Sequence, residues 1–183
     1  MPEIPLPRPP LHDGEVVLRG WRQEDLTGIV AACQDPEIPR WTAIPAPYTE
    51  RDAQIYLLRA DEDRLSGREL GLAVVDEGTG ELLGSCGLAR FDWTDRKAEI
   101  GYWVRAEARR RSVGSRAVRL LSRWALEHLR LERIELLANP DNEPSQRLAE
   151  RAGFVREGHL RAYRRRKGSR EDLIMFSLLR PDV

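Results

Sequence analysis

The sequence predicts one α/β domain built on a mixed, mostly antiparallel sheet of about seven strands, with about four helices. Its 183 residues suit a single domain that buries a substantial core. Its apolar pattern gives a strand, two helices, three strands, a helix, a strand, a helix and two strands. Runs of strands with few helices between them favour a mixed sheet over a doubly wound parallel one.

The amino-terminal segment is expected to lie outside this domain. Residues 1–10 hold five prolines, a composition typical of an extended, poorly packed tail. We therefore expect a single domain over residues 11–183, with no internal repeat and no second domain.

The spacing of apolar residues, together with capping and turn residues, predicts where the helices and strands lie. Thr49 resembles an N-cap followed by acidic residues, so a helix begins there and runs to about Leu65. Prolines between Pro36 and Pro47 predict a loop, because proline disfavours helix in the residue before it. The predicted strands cover residues 15–19, 70–75, 82–91, 98–104, 131–138, 154–163 and 171–179. The predicted helices begin near Glu24, at Thr49, after Ser115 and at Ser145.

Composition excludes several classes of protein. Thirty basic and thirty acidic side chains cancel, which gives no overall case for binding nucleic acid or a membrane surface. Cys33 and Cys86 have no metal-like spacing and predict no disulfide framework. The sequence has no long apolar run and no signal-peptide pattern. We expect a reduced, cytoplasmic protein without a metal and without nucleic-acid or membrane partners; a homodimer is left open.

The most informative segment is a strand, a basic loop and a helix in succession. Residues 98–104 form a compact apolar and aromatic run, four positive charges follow between Arg105 and Arg111, and helical spacing resumes at Ala117. The first N–H groups of a helix lack internal partners and carry partial positive charge, so this loop is expected to bind phosphate. The alternative is a solvated charge run that caps the helix.

Further motifs follow this loop in a fixed order. Residues 139–146 read Asn-Pro-Asp-Asn-Glu-Pro-Ser-Gln, and residues 149–154 read Ala-Glu-Arg-Ala-Gly-Phe. With the loop and with segments near both ends of the chain, they resemble the GCN5-related N-acetyltransferase (GNAT) superfamily, most closely its ribosomal-protein alanine N-acetyltransferase (RimJ/RimL-like) branch. The coenzyme A loop of that family, Arg/Gln-x-x-Gly-x-Gly/Ala, fits Arg109 and Gly114. Ser112 stands at the middle glycine, and Arg110 stands where many relatives carry glycine.

The resemblance implies a fold and an activity. In that family the strands before and after the central helix splay apart, and acyl-CoA lies in the V-shaped opening. The expected reaction is transfer of an acyl group, most simply acetyl from acetyl-CoA, to a primary amine by direct attack in a ternary complex, without a metal. The alternative is a degenerate relative that serves as a coenzyme A-binding, interaction or regulatory module without catalysis.

The resemblance also assigns donor-binding residues. Backbone groups at the end of the strand would hold the pantetheine arm, the basic loop would hold the pyrophosphate, and an asparagine would contact a pantetheine amide. As a structural alternative, Tyr102 and Trp103 are ordinary sheet residues. The donor-binding set is Trp103, Val104, Arg105, Arg109, Arg110, Arg111, Ser112, Val113, Gly114, Ser115 and Asn142.

The departing thiolate needs little acid catalysis, because thiols of the cysteine type have a pKa near ~8.5. The resemblance implies that Ser145 supplies this acid. Considered by spacing alone, Asn142 and Ser145 are each more simply an N-cap of the helix than a catalytic residue. Many relatives use a tyrosine further along this helix, but residues 146–152 contain none.

A base must remove a proton from the attacking ammonium group. Glu99 and Glu135 are the leading candidates, because acidic residues on central strands are unusual, although either could simply face solvent. His128 is read as structural, and His159 is a weaker candidate base.

The acceptor is expected to be a peptide α-amino group or a small aminated metabolite, with lysine side chains ranked last. A proline-rich loop would form an apolar wall beside the amine, through Trp41, Ile44, Pro45, Pro47 and Tyr48. The basic hairpin between Arg161 and Lys167 could contact RNA, but the acidic residues that follow favour a solvated turn.

Overall fold

The computed structural model describes residues 1–182, which form one eight-stranded sheet with helices on both faces. The strands are β1 (Leu11–His12), β2 (Val16–Arg19), β3 (Leu70–Asp76), β4 (Leu82–Asp92), β5 (Lys97–Val104), β6 (Arg133–Ala138), β7 (Val155–Arg166) and β8 (Ser169–Leu179). The α-helices are α1 (Leu26–Ala32), α2 (Glu37–Trp41), α3 (Glu50–Leu65), α4 (Val113–His128) and α5 (Glu143–Arg151). Short 3₁₀ turns cover Gln23–Asp25, Ala106–Ala108 and Arg180–Asp182.

The strand order is β1-β2-β3-β4-β5-β6-β8-β7, and β5 with β6 is the one parallel pair in this sheet. A parallel pair needs a long crossover, which α4 supplies. The predicted mixed, mostly antiparallel sheet is therefore confirmed. The additional strand is the two-residue β1, which pairs Leu11 with Leu18 and is too short to leave a sequence period.

The sheet opens between β5 and β6. The two strands pair only at three positions, the last of which joins Glu99 to Glu135. β5 then continues to Val104 beside β4, and β6 continues to Ala138 beside β8, without pairing with each other. The splayed, V-shaped opening expected from the resemblance is confirmed.

Each face of the sheet carries its own core. On one face α4 and α5 bury residues such as Leu121 and Leu148 against Ile100 of β5. On the other face α1, α2 and α3 pack around Ile29 and Tyr48. Because side chains alternate along a strand, β5 contributes to both cores and positions side chains on both sides of the opening.

Two sequence expectations change. The amino-terminal segment is not poorly packed, because Ile4 is fully buried and its N–H donates to the Arg64 carbonyl at 3.1 Å. The proline-rich loop contains α2, because Pro36 and Pro39 lie at its N-cap and third position, where a proline removes no helical hydrogen bond. The expected cap at Thr49 is confirmed: its side chain accepts from the Asp52 N–H.

Candidate active site

Helix α4 begins at the mouth of the opening, after a loop with two left-handed residues. Ser112 is the N-cap with φ of 61°, and Arg110 also has φ of 61°. These are the two positions at which the chain lacks the glycines expected from the resemblance. The chain thus keeps a conformation that favours glycine, at a cost of roughly 1–2 kcal/mol for each L-residue.

The first turn of α4 presents unpaired backbone donors. The Arg116 N–H is the first to find a partner, the Ser112 carbonyl at 3.0 Å. Within residues 1–182 the N–H groups of Val113, Gly114 and Ser115 have no acceptor. The Ser115 hydroxyl is buried and donates to the Ser112 carbonyl at 3.0 Å, so its side chain closes the turn. Three donors and the positive end of a 16-residue helix form a fitting cradle for phosphate.

Most arginines of the loop already have carboxylate partners. Arg105 contacts Glu81 at 2.8 Å, and Arg111 lies 3.6 Å from Asp76. Arg109 pairs with the Asp35 carboxylate. Arg110 is exposed and has no ion pair in the part of the chain that the structure describes. The loop is therefore nearly neutral before any ligand binds, and Arg110 is the arginine left to meet a phosphate.

The backbone of β5 points alternately toward β4 and into the opening. The Arg105 N–H donates to the Leu83 carbonyl at 2.9 Å, and the Trp103 carbonyl lies against Gly84, so both residues face β4. Val104, one residue out of phase, faces the opening, where its carbonyl accepts from Arg109 Nε at 3.2 Å. Of the three predicted pantetheine contacts, the structure brings the backbone of Val104 to the opening. The Trp103 side chain packs on the α1–α3 core.

Gly114 has a packing role that the loop motif did not indicate. A Cβ added at this buried position would lie 2.6 Å from Leu148 Cδ1 and 3.3 Å from Val104 Cγ2. The missing side chain therefore lets α4 approach α5 and β5 closely, whereas the sequence expectation placed Gly114 against the pyrophosphate.

Helix α5 begins on the opposite side of the opening, and its cap is one of the two residues that spacing suggested. The N-cap is Asn142, whose Oδ1 accepts from the Ser145 N–H at 3.2 Å. Ser145 is buried in the first turn, and its Oγ accepts a 3.0 Å hydrogen bond from Tyr102 Oη on β5. Burial raises the pKa of Tyr102 to about 12, against the effect of the Ser145 hydrogen bond, so the phenol is neutral at physiological pH.

Tyr102, expected from the sequence to be an ordinary sheet residue, lies at the opening and contacts Ser145. Its side chain shares a face of β5 with Ile100 and Val104, which is the face that α4 and α5 cover. Strand alternation could have placed it there, but the sequence gives no sign that α5 would bring Ser145 within reach.

The two candidate bases lie opposite each other where β5 and β6 separate. Arg164 holds Glu99 with two hydrogen bonds of 2.9 and 2.5 Å, and Arg90 Nε lies 3.4 Å away. Glu135 accepts from Arg133 Nε at 2.8 Å through Oε1. Both oxygens of Glu99 are thus occupied, whereas Glu135 Oε2 has no partner within residues 1–182.

The histidines and cysteines have other surroundings. His159 bonds Asp172 at 2.8 Å on the edge hairpin, and exposed His128 stacks on Trp124. Burial raises the pKa of Cys33 to about 12 and that of Cys86 further, so neither is a ready thiolate nucleophile. Within residues 1–182 no group of three or more His, Cys, Asp or Glu side chains could hold a metal ion.

The turn of the basic hairpin is exposed, as expected, but two of its basic side chains are also bonded to α2. Arg166 donates to the Arg40 carbonyl at 2.6 Å and pairs with Glu171, and Lys167 donates to the Pro39 carbonyl. These bonds fix the β7–β8 hairpin against α2. A cavity of about 470 Å³ lies between them, and Pro47 and Tyr48 of the expected apolar wall line it.

The rest of the expected wall has other contacts. Ile44 packs on the α1–α3 core, Pro45 is exposed, and Trp41 Nε1 donates to Glu37 at 3.0 Å. The wall is therefore only partly formed by the residues that the sequence suggested.

This arrangement of splayed strands, crossover helix and phosphate cradle coincides with a family match. A family model described as an acetyltransferase (GNAT) domain matches residues 15–155. The chain belongs to the GNAT acetyltransferases. It is accordingly an acyl-CoA-dependent N-acetyltransferase.

Relatives of this GNAT protein support the branch indicated by the motifs. It is 31% identical over 171 residues to the uncharacterized N-acetyltransferase p20 of Bacillus licheniformis, covering 93% of this chain and 96% of p20. It is 38% identical over 116 residues to YdaF of Bacillus subtilis (strain 168), which is named provisionally as a ribosomal N-acetyltransferase; the match covers 63% of this chain and 61% of YdaF.

A solved structure shares the fold of the GNAT protein. Mycobacterium smegmatis RimJ, in complex with CoA-disulfide, superimposes with a TM-score of 0.83 at 21% identity, covering 95% of this chain and 86% of RimJ. Across residues 1–182 of the GNAT chain, none of the helices combines the length and apolar character needed to span a bilayer.

Proposed function

We propose that this protein acetylates a peptide α-amino group by direct attack of the amine on acetyl-CoA within a ternary complex. The observation that carries the proposal is the opening between β5 and β6. It has unpaired N–H groups of α4 on one side and the Ser145 hydroxyl on the other. The name of the relative YdaF supports an acceptor of the ribosomal-protein type.

Different residues of the loop would bind the donor and anchor the loop itself. The N–H groups of residues 113–115 would bind the pyrophosphate, and exposed Arg110 would add charge-assisted hydrogen bonds. Arg105 and Arg111 would instead anchor the loop to the β3–β4 turn through Glu81 and Asp76. The backbone of Val104 would contact the pantetheine arm, and Asn142 would contact it from the N-cap of α5.

The acid and the base would act on opposite sides of the thioester. Ser145 would donate its hydroxyl proton to the departing sulfur. Glu135 would take the proton of the attacking ammonium group, directly or through a water, because one of its oxygens is unoccupied. Both carboxylate oxygens of Glu99 accept hydrogen bonds from Arg164, so Glu99 would stay ionised in this ion pair and would not take the proton.

The chemistry of the site favours an α-amino group over a lysine side chain. An α-amino group has a pKa of about 7.7–8.0, so a useful fraction is neutral without strong base catalysis, whereas lysine has a pKa near ~10.4. Glu135, as the one glutamate proposed to accept a proton, suits an α-amino acceptor. We also propose a cytoplasmic location, which two free, buried cysteines support.

Two assays test the proposal. Acetyl-CoA should raise the melting temperature in proportion to the logarithm of its concentration over Kd. Thiol release should then be measured with amino-terminal peptides, internal-lysine peptides, polyamines, aminoglycosides and amino acids. Turnover of internal-lysine peptides with none of α-amines would overturn the choice of acceptor.

The base is tested separately by the pH dependence of the rate. Glu135→Gln should abolish the acidic limb of the maximal rate, because the amide cannot accept the proton. Glu99→Gln should retain that limb while weakening the Arg164 pairing. If Glu99→Gln alone removed the limb, the roles of the two glutamates would be exchanged.

The second candidate function is a coenzyme A-binding module without catalysis. It is favoured by the paired arginines of the loop and by the two left-handed residues in place of glycine. Binding of coenzyme A without turnover of any amine would support it.

A further inference from the structure

A hydrogen bond between Tyr102 and Ser145 spans the donor opening. Tyr102 Oη lies 3.0 Å from Ser145 Oγ and joins the end of β5 to the first turn of α5. The Tyr102 ring also packs against the start of α4, where its Cε2 would lie 3.4 Å from a Cβ at Gly114. The phenol is therefore positioned by three elements that surround the opening.

The two hydroxyls are suited to act in sequence. A hydroxyl has one proton to donate and two lone pairs to accept, so Ser145 can accept from Tyr102 and still donate to a third atom. Acceptance of a hydrogen bond makes the Ser145 proton more acidic, and a chain of such bonds strengthens each member. Burial keeps the Tyr102 phenol protonated at physiological pH, so this donor remains present across the working range.

The Ser145 backbone is fixed independently of its side chain. Asn142 caps α5 through a 3.2 Å bond to the Ser145 N–H, so Ser145 does not have to serve as the cap. Within residues 1–182 no acceptor bonds the Ser145 hydroxyl proton, since the one hydroxyl contact is the bond from Tyr102. The free proton is therefore available to the opening.

We infer that Tyr102 is a positioning residue that acts through Ser145 on the departing sulfur of coenzyme A. The inference rests on the proposed function, in which Ser145 is the acid. As the new N–C bond forms, Glu135 takes the proton that the amine loses, the C–S bond breaks, and the electron pair of that bond stays on sulfur. Sulfur takes the Ser145 proton, Ser145 takes the Tyr102 proton, and Tyr102 regains a proton from water as the products leave.

The kinetic test compares Tyr102→Phe, Ser145→Ala and the double variant. Tyr102→Phe keeps the ring that packs on Gly114 and removes only the hydroxyl. We expect the maximal rate to fall about tenfold in Tyr102→Phe, within the range of general acid–base effects, with KM for acetyl-CoA nearly unchanged. Because Tyr102 acts through Ser145, the double variant should be no slower than Ser145→Ala. Multiplicative losses would overturn the inference.

Tyr56→Phe provides a matched control. Tyr56 is a tyrosine of α3 on the other face of the sheet, where its ring packs edge to face on Trp21. The control loses the same hydroxyl group away from the opening, so its maximal rate should match the parent. If Tyr102→Phe were as fast as Tyr56→Phe, the inference would fail.

A binding test decides the same question without turnover. Calorimetry should show that the parent prefers coenzyme A to desulfo-coenzyme A more strongly above pH ~8.5, where the thiolate forms. Tyr102→Phe and Ser145→Ala should both reduce that preference severalfold, and Tyr56→Phe should keep it. If Tyr102→Phe kept the preference of the parent for coenzyme A over desulfo-coenzyme A, the inference would be overturned but the proposed function would stand. Failure of the parent to bind either ligand would overturn the proposed function as well.

Discussion

At the scale of single residues, most of the positive charges in the loop before α4 are neutralised by carboxylates and are not left for a ligand. Four arginines between Arg105 and Arg111 suggested a uniformly basic loop, yet Arg105, Arg109 and Arg111 each face a carboxylate from another element. A sequence shows which charges are near one another along the chain, but not which distant carboxylates the fold returns to them. Arg110 is the member whose charge is left for a ligand.

Arg110→Ala should therefore weaken donor binding more than Arg105→Ala does. We expect Kd for coenzyme A to rise about three- to tenfold in Arg110→Ala, because an exposed charge-assisted contact contributes roughly 1 kcal/mol. The loss should shrink at high salt, which screens exposed charges. Arg105→Ala is the matched control and should leave Kd nearly unchanged in calorimetry at two salt concentrations. A larger effect at Arg105 would contradict the division of roles.

Ser112→Gly tests the cost of the left-handed turn. Ser112 has φ of 61°, a conformation that glycine adopts without a Cβ clash. We expect the melting temperature to rise by about 2–4 °C, since relief of roughly 1 kcal/mol shifts a domain of this size by that amount. Ser112→Ala keeps the strain and should give no rise. An equal response of both variants would show that backbone strain is not the determinant.

At the scale of elements, the donor opening depends on how closely α4 lies against β5 and α5. In Gly114→Ala the new methyl group would meet Leu148 Cδ1 at 2.6 Å, and overpacking of this kind costs about 1–3 kcal/mol. We expect a lower melting temperature together with weaker coenzyme A binding. Gly158→Ala is the control, because nothing lies within 4 Å of a Cβ there. Leu148→Ala should partly rescue Gly114→Ala; without rescue, the clash lies elsewhere.

An ion network joins β6 to the edge hairpin and makes stability depend on pH. Hydrogen bonds from Arg133 and then Ser177 lower the pKa of Glu157 to about 2 from the usual 4.5. Its stabilising contribution is therefore complete above pH 4.5 and is lost as the pH falls through 2. Because Glu157 is partly exposed, that contribution is below ~1 kcal/mol.

Glu157→Gln should flatten the fall in unfolding free energy between pH 4.5 and pH 2. Denaturant titrations at pH 7 and pH 3 would measure the difference. Glu132→Gln, in an exposed pair with Arg96, is the control and should keep the slope of the parent. A slope that stays steep in Glu157→Gln would assign the acid sensitivity to other carboxylates.

The elements differ in how well local signals predict them. The capping residue Thr49 predicts the helix that follows it, and the spacing of apolar residues predicts the strands around the opening. Helix α2 was missed because Pro36 and Pro39 read as loop signals, although both occupy positions in the first turn that need no N–H donor. The Tyr102–Ser145 contact joins residues 43 apart in sequence, so only the fold shows it.

At the scale of the whole molecule, the amino-terminal segment packs against the core of the domain and is not a loose tail. Ile4 is fully buried in the core on the α4 face, and Arg64 at the end of α3 donates to its carbonyl at 2.9 Å. A count of prolines predicted a loosely packed tail, because it gave no weight to Ile4 and Leu6, the apolar side chains between them.

Ile4→Ala should therefore destabilise the whole domain. Truncation of a buried isoleucine costs about 2–5 kcal/mol, which corresponds to a fall of roughly 5–15 °C in melting temperature. Glu3→Ala, at an exposed neighbouring position, is the control and should have little effect. Since the backbone of Ile4 bonds Arg64 at the end of α3 and Ile4 is not among the residues proposed to hold the donor, coenzyme A should still raise the melting temperature of Ile4→Ala by as much as it does for the parent. A melting temperature unchanged by Ile4→Ala would restore the tail as a separate, weakly packed segment.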